Sequence, residues 1–432
     1  MTVAFHTLGC KVNQVDSNTL AQHLTTVGYT RAEPEVADVI ILNSCTVTAE
    51  SERKTRQKLR HFRKLNRNCV LVLTGCAAQV SENAAERYLE ADLILGQSDA
   101  YDLPYYIDEF LLSQQQIVAI SPHQRNESLE ASSSKNITRT RANIKIQDGC
   151  NRACAYCIIP RARGPVRSKP LKALYDEVQS LASQGFREVV LVGINLATYG
   201  SDLGYDLGDA VLAAEEAARD SVLKHIRLGS LEPDYINDAL LEKLSHSKVL
   251  CPHFHLSLQS GCDRTLKRMN RPYTTAEYFD TVKRLRSLFP GAAITTDIMV
   301  AFPGESETDF KDSLSFAKAV GFANMHVFPF SSRPGTAAAT FEGQIAKAEK
   351  RHRAKETLSL AKALNQDFLQ SQVGQTLEVL LEAPFAGGGM QGFSANYTPV
   401  VLPQADAELQ NQLILAHITG VEETHCIGAL LH

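Results

Sequence analysis

The chain predicts an α/β fold in three parts: an N-terminal parallel α/β sheet, a central partial (β/α)6 barrel and a small C-terminal β domain. Three observations carry this. Short, continuously apolar runs alternate with helical stretches through most of the chain, as expected of parallel strands covered on both faces. A polar stretch over residues 124–141, with Ser132-Ser-Ser134 at its centre, interrupts that alternation once. After a long helix over 344–370, strand-like runs separated by the Gly387-Gly-Gly389 turn replace it. The expected boundaries are 1–123, a linker at 124–141, 142–370 and 371–432.

In the first part, strands are expected at 3–8, 38–43, 70–74 and 92–95, with helices at 17–27, 49–65 and 81–89. In the second, strands are expected at 143–147, 188–193, 226–229, 253–258, 293–300 and 325–330. Helices fall between them, for example at 171–184, 235–244, 275–288 and 307–320. Six βα units suit a partial barrel whose chemistry sits at the C-terminal rim of its strands. The runs 377–381 and 399–402 belong to the last part.

The chain has 432 residues, 44% hydrophobic and 21% charged, with a net charge of −4, so any basic footprint for nucleic acid must be local. The N-terminal residues lack the basic and apolar regions of a secretory signal, and no apolar run approaches the roughly 18 residues of a membrane span. With ten cysteines, this points to a cytoplasmic protein that uses thiols for metals rather than disulfides, and to no membrane partner.

Cys150, Cys154 and Cys157 form a C-x3-C-x2-C run within Ile144-Lys-Ile-Gln-Asp-Gly-Cys-Asn-Arg-Ala-Cys-Ala-Tyr-Cys-Ile-Ile-Pro160. Three thiolates at this spacing can hold three irons of a [4Fe–4S] cluster and leave the fourth open, whereas electron carriers normally supply four cysteines. A zinc site short of one ligand, or a disulfide with a spare thiol, are the alternatives. No second pair follows for zinc, and disulfides suit short secreted chains. Cys10, Cys45 and Cys76 each follow a predicted strand, where open parallel sheets bind ligands, so they suggest a second metal site. Cys69, Cys251, Cys262 and Cys426 are expected to pack. His253 and His255 share a strand face, with a structural role expected.

The triple-cysteine spacing, with Tyr156 before the last cysteine, resembles the radical S-adenosylmethionine (SAM) superfamily. The resemblance implies that the open iron chelates the methionine moiety of SAM, whose reductive cleavage yields a 5′-deoxyadenosyl radical. Thr7-Leu-Gly-Cys-Lys-Val-Asn-Gln14, Asn43-Ser-Cys-Thr-Val-Thr48 and Gly75-Cys76 are similar to the N-terminal domain of the methylthiotransferases, and the C-terminal part is similar to the TRAM β-barrel. This implies two [4Fe–4S] clusters, an auxiliary one on Cys10, Cys45 and Cys76 and the SAM cluster on Cys150, Cys154 and Cys157. Sibling groups act on isopentenyladenosine in tRNA, threonylcarbamoyladenosine in tRNA, or an aspartate of a ribosomal protein. Gly9-Cys-Lys-Val-Asn-Gln14 and His255-Leu-Ser-Leu-Gln-Ser-Gly-Cys-Asp-Arg-Thr-Leu-Lys-Arg-Met-Asn270 most resemble the threonylcarbamoyladenosine group. The implied partners are a tRNA anticodon loop and an electron donor protein. Hydrogen abstraction needs no residue acting as general base, and no Ser/His/Asp constellation stands out.

SAM contacts are expected from Tyr156 and from strand ends at Gly193, Asn195, Glu232 and Gln259. The chain departs from the family's pattern at Ala301, where glycine is usual, at Gly229, often serine, and at Arg161, often aromatic. A methyl group at 301 is expected to crowd backbone that approaches SAM.

Two basic stretches are candidate phosphate contacts: 53–67, with eight basic residues, and 135–169, with nine basic residues and one acid, Asp148. By contrast, residues 363–432 contain seven acids and no Lys or Arg. This last part is expected to meet RNA through groups such as Gln391, Asn396 and Tyr397, or to brace the barrel. A noncatalytic iron–sulfur carrier and a pure RNA-binding module are the rivals from other classes. Two clusters each lacking a fourth cysteine argue against the first, and the acidic C-terminal part against the second.

Overall fold

The computed structural model describes residues 1–123, 129 and 140–431, so most of the expected linker, together with Lys135 and Arg139, lies outside the described residues. The chain divides into two compact units. The first comprises the described part of Met1–Asn136 with Gln147–Lys169 and Ser331–Thr340. The second comprises the described part of Ile137–Ile146 with Pro170–Phe330 and Phe341–His432.

In the first unit, six parallel strands are ordered Thr30–Arg31, Thr2–Thr7, Val39–Ser44, Val70–Gly75, Leu93–Leu95 and Ile117–Ala119. Alternation along the central strands feeds two cores. Ile40, Leu42, Leu71 and Leu73 pack with Leu59 and Phe62 of helix Ala49–Leu65. Val39, Ile41, Val70 and Val72 pack on the other face with Leu20, Leu24, Leu103 and Ile107. The chain turns one way from Thr2–Thr7 and then passes to the other side at Val39–Ser44, so a topological switch opens at the carboxyl ends of these two strands. The helix expected at 17–27 begins earlier, at Lys11, directly after Cys10. The stretch 81–89 forms only one turn, Ala84–Arg87.

In the second unit, Arg141–Lys145, Glu188–Val192 and His225–Leu228 pair in parallel. Past Gly229, the same strand continues as Ser230–Leu231, which pairs with His253–Leu256. Ala293–Val300 and Asn324–Pro329 follow, giving a run in chain order. This is the expected βα succession. The side chains of Ile226, Phe254, Leu256, Ile294 and Ile298 join the helices in one apolar core. Capping boxes at Asp206/Asp209, Thr274/Glu277 and Ser306/Asp309 start three of those helices. Helix Lys347–Ser371 leads to a closed five-stranded barrel of Thr376–Pro384, Met390–Ser394, Pro399–Leu402, Leu413–Val421 and Cys426–Leu430.

This small barrel is locked to the amino ends of the strands of the larger one. Glu188, which opens its strand, bonds the Arg227 guanidinium at 2.7 and 3.0 Å, and Arg227 donates onward to the carbonyls of Ala395 and Ser394. His225 lies 2.8 Å from Glu378, and Arg141 lies 2.6 Å from Glu382. Tyr397 stacks on His253 and Phe393 and lies beneath Arg141 and Arg227. Asn396 is buried and donates to Gln372 and to the Gly291 carbonyl. Asn396 and Tyr397 therefore brace the barrel, and two of the acids counted in this part, Glu378 and Glu382, are ion-pair partners of the larger barrel. Among the described residues, no helix is long and apolar enough to cross a membrane.

Candidate metal centres and cofactor pocket

The strand ends explain how Cys10, Cys45 and Cys76 come together. Cys10 is the residue before helix Lys11–Thr26, Cys45 follows Val39–Ser44, and Cys76 follows Val70–Gly75. Asn13 ties these ends, its amide donating to the carbonyls of Leu8 (2.8 Å) and Ser44 (2.9 Å). Its Oδ1 lies 3.8 Å from Cys10 Sγ and 3.9 Å from Cys76 Sγ. Gly9 has φ +108°, and a Cβ there would meet Asn13 Nδ2 at 2.9 Å and Cys45 Cβ at 3.0 Å, so only glycine lets the turn close over Cys45. Cys45 and Cys76 are buried and Cys10 is exposed, which leaves one side of the group open.

Arg163 is the residue that sequence reasoning missed. It is fully buried. Its Nε lies 3.3 Å from Cys76 Sγ, its Nη1 bonds Asp16 at 2.7 Å and Asp148 at 3.2 Å, and its Nη2 bonds Asn13 Oδ1. Burial pushes the Cys76 thiol up to about 12, and the Arg163 charge acts against that shift. Three converging thiols with a buried cation against them fit a group that takes thiolates and carries negative charge. Metal binding displaces the thiol protons, and the guanidinium balances the resulting charge.

Arg163 also ends the helical turn Ile159–Arg163 that closes the second cysteine loop. That loop is clasped at its base, where Gln147–Asp148 pairs antiparallel with Arg167–Ser168. Cys150 N donates to Gly164 O at 3.0 Å, Val166 N to Asn151 Oδ1 at 3.1 Å, and Cys157 N to Cys154 O at 3.1 Å. Gly149 has φ +73°, and a Cβ there would lie 1.9 Å from Pro165 O. All three cysteines and Tyr156 are half-buried, open enough to take an incoming group. Arg161 is exposed and bonds Glu82 at 3.0 Å. Both cysteine triads thus lie in the first unit, linked through Arg163.

Gly193, Asn195, Glu232 and Gln259 lie in the second unit. Gly193 directly follows Glu188–Val192, and Asn195 is buried ahead of the turn Leu196–Thr198. Glu232 is held by the buried Arg271 guanidinium, which also bonds Tyr273 at 3.1 Å. Tyr273 in turn donates to the carbonyls of Ser257 and Leu258. Glu232 and the chain leading to Gln259 are thereby joined. Gln259 has φ +67°, and its Oε1 is buried without a hydrogen-bond partner among the described residues, an open acceptor that suits an ammonium donor. Ala301 adopts φ +58° where the glycine pattern anticipates it, with its N–H held by Glu305 at 2.7 Å.

The basic stretches need correction. Arg163, Arg167 and Lys169 are buried, and of the described cations between 141 and 169 only Arg161 is exposed. In helix Ala49–Leu65, Arg53, Arg56, Arg60 and Arg63 pair with Glu50, Glu52, Glu90 and Asp92. The second stretch is therefore not a free cationic surface, whereas in the first Lys54, Lys64 and Arg67 stay exposed.

Two further groups bring ligand-type side chains within 4.8 Å of one another: Glu188, His225 and Cys251, and His255, Asp297 and His326. Arg227 and Arg141 already supply positive charge to the first.

Residues 144–317 match the model described as the radical SAM superfamily, and residues 2–96 that of the uncharacterized protein family UPF0004. The threonylcarbamoyladenosine tRNA methylthiotransferase MtaB of Bacillus subtilis (strain 168) is 36% identical over 406 residues, covering 93% of this chain and 90% of that protein. The tRNA-2-methylthio-N(6)-dimethylallyladenosine synthase of Pelotomaculum thermopropionicum is 36% identical over 431 residues, covering 98% and 96%. Among solved structures, the radical SAM methyltransferase TsrM of Kitasatospora setae shares the fold with a TM-score of 0.58 at 14% identity, over 78% of this chain and 77% of that one.

Proposed function

The chain belongs to the radical SAM methylthiotransferase family, and from that premise we propose that it adds a methylthio group to C2 of N6-threonylcarbamoyladenosine at position 37 of tRNA. The observation that carries the chemistry is the pair of cysteine triads, both in one compact unit, and the choice of base rests on the relatives named for threonylcarbamoyladenosine. Cys150, Cys154 and Cys157 would hold the cluster that binds SAM, and Cys10, Cys45 and Cys76 the auxiliary one. Bound there, these groups supply a hydrogen-abstracting radical, the inserted sulfur and the methyl group.

The protein's own part is binding and orientation. Arg163 keeps thiolate charge balanced beside Cys76, and Asn13 fixes the spacing of the strand ends that carry the thiols. Gln259 offers an acceptor, and Glu232 a carboxylate oriented by Arg271, to the amino acid end of SAM. Removal of a hydrogen atom from C2 requires no protein base. The substrate base must be accessible in a single-stranded loop, which the anticodon loop provides.

Isopentenyladenosine-37 tRNA is the second reading, because relatives named for that chemistry match as well. The test is anaerobic reconstitution followed by incubation with SAM, reductant and tRNA bearing threonylcarbamoyladenosine. A methylthio mass gain on that nucleoside supports the proposal. Release of 5′-deoxyadenosine without a gain moves the substrate to a sibling target.

A further inference from the structure

We propose that His255, Asp297 and His326 form a specificity site that receives the polar N6 substituent of the substrate adenine; this rests on the threonylcarbamoyladenosine reading. The three residues come from three neighbouring parallel strands, which is why no sequence spacing reveals them. The register opposes His255 to Thr295 and Asp297 to His326. Phe254, Leu256, Ile294 and Ile298 point from the same strands into the helix-covered core, so strand alternation turns His255, Thr295 and Asp297 to the inner face. Gln259, expected to contact SAM, lies four residues beyond His255 in the same chain segment, past the end of the strand His253–Leu256.

One layer toward the amino ends of the strands, this face is closed. His253 Nε2 lies 3.2 Å from Thr295 Oγ1, its ring stacks on Tyr397, and the Glu188–Arg227 pair lies beside them. The cluster is therefore the last polar layer above a filled floor.

Its groups are poised for a ligand that both donates and accepts. His255 Nδ1 lies 3.0 Å from Thr295 Oγ1, and His255 Nε2 lies 3.4 Å from Asp297 Oδ2. The His326 ring stands 5.8 Å from that of His255 and is exposed. Among the described residues, Asp297 has no Lys or Arg partner and the ring nitrogens of His326 have no hydrogen-bond partner. A threonylcarbamoyl group presents a carboxylate, which a His326 N–H can bond, and hydroxyl and carbamoyl hydrogens, which Asp297 can accept. A dimethylallyl group presents no polar atom and would leave these groups unpartnered, the arrangement that gives strong discrimination. C2 and C6, which carries N6, flank N1 on the same ring, so a base that offers C2 to the SAM radical must direct its N6 substituent elsewhere along the lining.

The test measures binding by the reconstituted holoenzyme to anticodon stem-loops carrying threonylcarbamoyladenosine, isopentenyladenosine or adenosine at position 37, by fluorescence anisotropy. Wild type is expected to prefer the first. Asp297→Asn and His326→Ala are each expected to shrink the preference over isopentenyladenosine by about tenfold. His326 is exposed on the last strand of the run and Asp297→Asn is isosteric, so both variants keep the fold. A wild-type preference that both variants retain would overturn the assignment while leaving the substrate reading intact. No wild-type preference would overturn both. Two imidazoles and a carboxylate also suit a divalent metal. Stoichiometric zinc, manganese or nickel in the holoenzyme, lost in Asp297→Asn, would make the cluster a metal centre and likewise overturn the proposal.

Discussion

Arg163 shows how a single residue can be misread from composition. In the sequence it is one of nine cations in a stretch that suggests phosphate binding. In the fold it is buried among Asn13, Asp16, Cys76 and Asp148, because the loop that carries it closes against the ends of the N-terminal strands. A cation count along a chain does not reveal which side chains turn inward. Arg163→Met is expected to cost about 3 kcal/mol, since it removes the nearest cation from the buried Asp148 carboxylate. It should also lower the iron retained after reconstitution, and denaturant unfolding with iron analysis checks both. The placement of Cys10, Cys45 and Cys76 was legible, since each follows an apolar strand. Ala301 was legible as a departure, and its φ of +58° gives the physical reason for glycine there. Ala301→Gly should change stability by less than about 1 kcal/mol, relief of strain offsetting a lost methyl contact. A β-branched Val at the same φ is expected to cost more than about 2 kcal/mol. Equal losses for the two in urea unfolding would rule out the strain account.

At the scale of elements, strands of the barrel were legible because they are continuous apolar runs of ordinary length. Thr30–Arg31 and Ile117–Ala119 were not, being edge pieces too short to show a period, and helix Leu103–Ser113 gave no separate signal. The SAM-cluster loop depends on its clasp. Gly149→Ala would drive a Cβ into the Pro165 carbonyl, so this variant should lose iron from that cluster and SAM binding while the far-ultraviolet circular dichroism stays native. The join between barrel and C-terminal domain carries a pH dependence. Burial alone would lower the His225 pKa, but its bonds to Glu188 and Glu378 outweigh that and raise it. Arg227 and Arg141, Lys224 and the protonated Cys251 thiol complete its charged surroundings. A raised folded pKa means that the stabilisation is fully present below the unfolded value of about 6.5 and is lost as pH rises through the folded value. Unfolding free energy should therefore decline above pH 6.5 in wild type, and His225→Gln should flatten that decline. An identical slope in both proteins would remove His225 as its cause.

Across the whole molecule, charge is arranged for assembly more than for a broad RNA surface. The helix Ala49–Leu65 pairs four of its seven Lys and Arg residues with acids, and the acidic C-terminal domain sets Glu378 and Glu382 against the barrel. Glu422 and Glu423 remain exposed. Replacing both with Lys should steepen the salt dependence of tRNA affinity if this face lies near the phosphates, by roughly 0.7 in log–log slope for each new contact. The succession of sheet, barrel and C-terminal β domain followed from periodicity, and the closed form of the last from its resemblance to the TRAM β-barrel. The inner-face cluster and the Arg163 bridge did not, because each joins residues from separate elements that only tertiary structure brings together.

The central claim is one enzyme with two three-cysteine centres acting on threonylcarbamoyladenosine. It is tested most directly by competition: reconstituted wild type, Cys10→Ala and Cys150→Ala are each given SAM, reductant and an equimolar mixture of tRNAs bearing threonylcarbamoyladenosine and isopentenyladenosine at position 37, with nucleoside mass spectrometry as readout. The account predicts a methylthio gain chiefly on threonylcarbamoyladenosine in wild type, and in neither variant. A gain chiefly on isopentenyladenosine, or a gain that survives Cys10→Ala, would contradict it.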